Sequence, residues 1–242
     1  MNDGFETQTT QELCSQELAS HGELAELCER RAATYALLAR LFREELDEAA
    51  LASLSATRFP AATGSEKVDE GIRLIVGYLS NAFEDVLIDL AVDYARTFLG
   101  GGLDGHSTAY PYESVYTSKK RLLMQDAYSE VLAQYRRQGI VREEGCKILE
   151  DHVALELEFM QVLSFRASEK LRSDDEEGAW TLLSDQRAFL DEHLLNWIGW
   201  FCTDMRSFSK TDFYRGLSLY LEGYVLSDKA LLDAMVGEED AL

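Results

Sequence analysis

The sequence predicts an all-α fold, a single helical bundle of about eight helices, on three observations. Apolar residues recur along most of the chain with the 3.6-residue period of an amphipathic helix. Only two prolines, Pro60 and Pro111, occur in 242 residues, so long helices meet few interruptions. No window sustains the period-2 alternation of a half-buried strand, and no fixed-period repeat points to a solenoid.

Taken in order, residues 1–20 are polar and rich in Gln, Thr and Glu, and read as a flexible tail ahead of one helical domain over 21–236. Leu24, Leu27, Tyr35, Leu38 and Phe42 share one face of a first helix from Glu23 to about Glu45. RFPAATGS (58–65) is a loop by its Pro and Gly. Val68, Ile72, Ile75 and Leu79 mark a second helix, and Phe83, Leu87, Leu90, Tyr94 and Phe98 a third, stopped at Gly100. After the glycine-rich stretch 100–112, the segment from Glu113 to Gly139 reads as one helix through Leu123, Val131 and Tyr135. A strongly patterned helix runs from near Glu150 to Leu171. Another carries Leu183, Leu190, Leu194, Trp197 and Phe201, and a further one Phe213, Leu217, Leu221 and Tyr224. A short last helix holds Leu231, Leu232 and Met235, with 237–242 as a tail.

Composition narrows the function. At 46% hydrophobic and 28% charged, the chain belongs with globular proteins rather than disordered ones. A net charge of −21 repels nucleic acid and draws in a cationic partner, though acidity also serves solubility alone. Cys14, Cys28, Cys146 and Cys202 form no Cys-x-x-Cys pair, a pattern that suits reduced thiols. The N-terminus has neither the basic start nor the apolar run of a secretory signal, and no stretch reaches the length of a membrane helix, so the expected localisation is cytoplasmic.

Catalytic motifs are missing. A di-iron bundle needs Glu-x-x-His, and leucine stands three positions before each of His21, His106, His152 and His193. His152 and Glu156 are one turn apart, but no third ligand has zinc-type spacing, so no metal and no cofactor are expected. Gly100, Gly105, His106 and Ser107 nearly copy a phosphate-binding loop, with His106 where the lysine belongs and a helix where a strand should precede. A nucleotide-binding regulator using the Gly100–Ser107 loop is therefore the rival reading from another class. No nucleophile elbow or dinucleotide fingerprint appears, and the chain reads as no enzyme.

Three segments remain: Asp93-Tyr-Ala-Arg-Thr-Phe-Leu-Gly100, Tyr110-Pro-Tyr-Glu-Ser-Val-Tyr-Thr-Ser118 and Glu150-Asp-His-Val-Ala-Leu-Glu-Leu-Glu-Phe-Met160. In this order, with ATYALLARLFREE, FLDEHLLNWIGWF and FYRGLSLYLEGYVLSD, they resemble the TorD/DmsD family over about residues 30–228. That resemblance implies a TorD/DmsD-like bundle and a cytoplasmic chaperone for molybdopterin-dependent oxidoreductases. Such a protein binds the twin-arginine leader of the apo catalytic subunit, assists cofactor insertion and delays export until folding is complete. The implied peptide-binding residues are Tyr94, Phe98, Pro111, Tyr112, Glu113, Ser114, Asp151 and His152. The loop before Tyr110 is longer and richer in glycine than the family pattern. A NarJ-like chaperone of a non-exported nitrate-reductase-type subunit is the rival within the class. A monomer is expected, with helix exchange between two copies as the alternative, and neither nucleic acid nor membrane insertion is.

The residues by themselves leave alternatives open. Acidic groups for guanidinium and aromatics for an apolar helix are what such a leader requires. Asp151 also reads as the cap of the helix that begins there, and His152 as a partner for Glu156. Tyr94 and Phe98, one turn apart, equally fit plain core aromatics.

Overall fold

A computed structural model describes residues 3–81, 85–100 and 108–239, with side chains from His21 to Gly237. The expected Phe83 and most of the glycine-rich stretch, including Gly105, His106 and Ser107, lie outside the described residues. The described residues form α1 (Asp3–Arg43), α2 (Glu48–Ala56), α3 (Glu66–Ser80), α4 (Val86–Phe98), α5 (Glu113–Thr117), α6 (Asp126–Arg137), α7 (Val153–Arg172), α8 (Glu176–Phe189), α9 (Leu195–Phe208) and α10 (Asp212–Glu239). A π-helical turn, Leu190–Leu194, joins α8 to α9 without a break, as the single periodic run from Leu183 to Phe201 predicts. Among the described residues there is no strand, only the isolated bridge Tyr112–His152.

α1 lies along α7 and α10 along α3, with α8 and α9 closing the bundle. On α1 the buried positions Ala25, Cys28, Ala32, Tyr35, Leu38, Ala39 and Phe42 follow the helical repeat. The α3–α10 contact is made backbone to backbone. A Cβ on Gly71 would stand 2.6 Å from the Gly216 carbonyl oxygen, and one on Gly216 would stand 2.6 Å from that of Gly71. Two turns further along α10, a Cβ on Gly223 would come within 2.9 Å of the Val68 backbone nitrogen.

One ionic cluster ties α1 to α10. The Arg31 guanidinium donates to both oxygens of Asp228, at 2.6 and 2.9 Å, and the Tyr35 hydroxyl donates to Asp228 at 2.6 Å, all of it buried. Asp93 does similar work at the start of α10. Its carboxylate accepts from the Lys210 and Thr211 N–H groups, at 2.9 and 2.8 Å, and from the Thr211 hydroxyl.

Four boundaries differ from expectation. α1 begins at Asp3 rather than Glu23, in a stretch free of proline. α10 continues through 227–230, because Asp228 is a buried ion-pair partner and not a turn residue. α2 carries no apolar stripe to betray it: of its nine residues only Leu54 is buried, and the Asp47 side chain caps it by accepting from the Ala50 N–H. The run from Glu113 to Gly139 is two helices, α5 and α6, separated by an irregular segment 118–125.

Candidate functional site

The site begins where two chain segments cross. Pro111 has no N–H to donate, but its carbonyl accepts from Val153 N–H at 2.9 Å; in return Glu113 N–H donates to the Asp151 carbonyl at 2.9 Å. This one-rung bridge fastens the start of α5 onto the start of α7, and the Tyr112 and His152 rings meet edge to face at 4.9 Å. Pro111, Tyr112, Glu113, Ser114, Asp151 and His152 are thereby brought together. Their adjacency is what the motif order implied.

Within this clasp the capping roles are exchanged. Asp151 does not cap its own helix. Its Oδ2 accepts the Ser114 N–H at 3.0 Å and the Ser114 hydroxyl, so it caps α5 across the crossing. α7 is capped by His152, whose Nδ1 accepts from Ala154 N–H at 3.0 Å. An imidazole that accepts there must be neutral, and burial, reinforced by the Arg43 charge, holds its pKa down at about 3. The side-chain pairing of His152 with Glu156 does not form: His152 Nδ1 caps α7, and Glu156 turns to Trp197.

Glu156 is fully buried and points elsewhere: Trp197 Nε1–H donates to its Oε2 at 3.2 Å. Glu113 is also buried, with Oε2 3.1 Å from His193 Nδ1 on the π-turn. Burial pushes the Glu156 carboxyl well above the carboxylate range, and the charges of Glu113 and Asp151 push it the same way. The result is three carboxyl groups buried together, with the surroundings of Glu156 favouring its protonated form. Asp151 Oδ1 and Glu156 Oε1 have no hydrogen-bond partner.

Outside the clasp a cleft of about 460 Å³ opens over α5. Glu113, Asp126, Glu130 and Glu192 line it with Lys119 and Lys120, so acids outnumber bases. A wider hollow of about 800 Å³ at the start of α3, near Glu66 and Arg73, shares no residue with the clasp.

Tyr94 and Phe98 do not join the clasp. They are 5% and 4% exposed, packed edge to face at 5.0 Å, with Phe98 against Phe42 and Tyr214 and the Tyr94 hydroxyl donating to the Phe42 carbonyl. In this conformation both lie in closed core, the alternative that their one-turn spacing left open; Asp151, at 0% exposure, likewise offers no surface. Three residues were not foreseen. His193 carried no signal beyond its helix, Glu156 read only as a partner for His152, and Asp93 opened a motif without a role of its own.

Among the described residues no cluster of three His, Cys, Asp or Glu could hold a metal, and no helix is long and apolar enough to cross a membrane. Fold and site together define an all-α bundle with an acidic cleft built over a buried clasp.

Known proteins narrow that class. The family model described as "Nitrate reductase delta subunit" matches residues 63–203. A protein named "Chaperone protein TorD" from Photobacterium profundum is 31% identical over 156 residues, 64% of this chain and 68% of its own. Proteins of the same name from Vibrio cholerae (strain N16961) and Vibrio vulnificus (strain YJ016) are 28% and 26% identical, each covering 89% of this chain and at least 98% of their own. The chain belongs to this TorD-containing family of redox-enzyme maturation chaperones and is not an enzyme.

Proposed function

We propose that the chain binds the twin-arginine leader of a molybdopterin-dependent oxidoreductase in the cytoplasm, assists cofactor insertion into the apo subunit, and delays export until folding is complete. The acidic cleft beside the clasp carries this reading, because Asp126, Glu130 and Glu192 present carboxylates where guanidinium groups would enter, with Glu113 buried behind them against His193. Pro111, Tyr112, Ser114, Asp151 and His152 act one step back. By pinning α5 to α7 they set where Glu113 stands. Tyr94 and Phe98 support that frame from the core.

Charge alone is too weak. Micromolar affinity requires about −8 kcal/mol, and exposed ion pairs contribute at most about 1 kcal/mol each. The carboxylates steer and register the leader, and apolar contact supplies most of the affinity.

The test is calorimetric titration with the leader peptide of a twin-arginine oxidoreductase encoded beside this chain. Micromolar binding is expected; no heat from folded protein would sink the proposal. The family model's description favours one second reading, a client nitrate-reductase-type subunit that is never exported. Neighbouring genes separate the two.

A further inference from the structure

The segment 118–125 breaks every local rule of its sequence. Its residues continue the helical pattern of the flanking α5 and α6, yet the chain leaves the helix after Thr117 and resumes it only at Asp126. Two non-glycine residues within it take left-handed backbone conformations, Arg121 at φ 51° and Met124 at φ 56°. Such conformations are costly for residues with a Cβ and persist where surrounding structure imposes them. Between and beside them stand three consecutive apolar side chains turned to solvent: Leu122 is 52% exposed, Leu123 44% and Met124 60%. A sequence that reads as helix and is held strained and apolar-outward is the conflict expected at a functional surface.

A fourth apolar group lies alongside. Asn196, Trp200 and Asp204 follow one another at one-turn spacing on α9. Asn196 lines the acidic cleft with Ser118 and Lys119, while Asp204 sits 3.7 Å from Arg121 and accepts the Tyr116 hydroxyl at 3.0 Å. Trp200, between these two anchor points, is 62% exposed, whereas Trp197 one turn earlier is fully buried against Tyr116. The irregular segment therefore runs beside an uncovered indole, with the acidic cleft at one end.

We infer that Leu122, Leu123, Met124 and Trp200 form the apolar half of the leader site, receiving the hydrophobic stretch of the peptide while its arginines enter the cleft at the exposed carboxylates Asp126, Glu130 and Glu192. Charge complementarity selects this occupant. An acid-rich cleft continuous with an apolar shelf matches a peptide whose basic residues directly precede apolar ones, and matches a second copy of this −21 chain poorly. The inference rests on the leader-binding reading and adds to it the surface that supplies the affinity.

The experiment titrates the full chain with a synthetic peptide of two adjacent arginines followed by ten apolar residues, and with the same peptide carrying serines in the apolar stretch. All four shelf residues are exposed, so Trp200→Ala and the triple variant Leu122→Ser, Leu123→Ser, Met124→Ser should keep the parent's urea midpoint. Each is expected to weaken the first peptide at least about tenfold, while Trp200→Phe stays within about threefold. The serine peptide should bind weakly to the parent and lose nothing further in the variants. If the parent binds the first peptide and both disruptive variants bind it within twofold, the shelf is elsewhere and the leader reading survives. If the parent binds neither peptide, the leader reading falls and the shelf falls with it. Sedimentation of the same proteins adds one more outcome: a self-association abolished by the triple variant, with unchanged peptide affinity, would assign the shelf to a second copy and overturn the proposal.

Discussion

Two buried ionic clusters in this bundle are constructed on opposite plans. At the α1–α10 contact one guanidinium meets one carboxylate, and a tyrosine hydroxyl completes the set: Arg31, Asp228 and Tyr35 balance charge for charge. At the clasp Glu113, Asp151 and Glu156 are buried together with two histidines, of which His152 is held neutral. The first cluster is neutral by pairing, whereas in the second the burial of Glu156 beside two other carboxyl groups favours a retained proton. Pairing makes a joint indifferent to pH over the physiological range. Proton retention makes one that feels it, next to the surface proposed to bind a cation.

The contrast breaks most visibly at Asp228. Asp228→Ala leaves the Arg31 charge buried without its partner, and urea denaturation should show a loss of about 3–5 kcal/mol, much the same at pH 6 and pH 8. Asp151→Ala strips the Ser114 N–H and hydroxyl of their acceptor and should cost about 1–3 kcal/mol. It should also weaken leader binding while circular dichroism keeps its helical signal. Collapse of the helical signal would mean that the clasp is purely structural.

The next two experiments sharpen the comparison through pH. His152 has a folded pKa of about 3 against 6.5 unfolded, so its contribution is complete above 6.5 and is lost as pH falls, at about 1.4 kcal/mol per pH unit. His152→Asn keeps a side-chain acceptor at the cap and removes the titration, so the acid limb of stability between pH 6.5 and 4.5 should flatten. Glu156 behaves in the opposite sense. Its folded pKa is raised, so folding takes up a proton above the unfolded value near 4.5, and stability is lost as pH rises. Glu156→Gln, permanently neutral, should raise the thermal midpoint at pH 8 and leave it unchanged at pH 4.5. An unchanged midpoint at both would mean that Glu156 is ionised in the fold.

How much of this was legible in the sequence follows from what each element buries. α1, α3, α4 and the α8–α9 rod each press one face on the core, so their period is written in Leu, Ile, Phe and Tyr, while α7 is buried all round through Val153–Leu157 and reads as a dense apolar run. α2 buries only Leu54, with Ala50 and Leu51 half-buried beside it, too little in nine residues to show a period. The 118–125 segment has a helical period and no helix, because Arg121 and Met124 are held in conformations that the pattern cannot encode. At the site, motif order placed Pro111–Ser114 beside Asp151–His152. It gave no hint of Glu113 with His193 or Glu156 with Trp197, pairs separated by 80 and 41 residues. Nor does a sequence say which helix a carboxylate caps, and Asp151 caps the one it is not part of.

The glycine crossing of α3 and α10 bears on how such a bundle can move. Gly71 seats against Gly216, and Val68 against Gly223, seven residues or about 10 Å further along α10. Two notches two turns apart key the helices like a tooth in a rack. A slide by one residue would drive a side chain into backbone at both notches at once. α3 and α10 must therefore travel as one rigid spar, and any breathing that admits a client falls to the segments outside it.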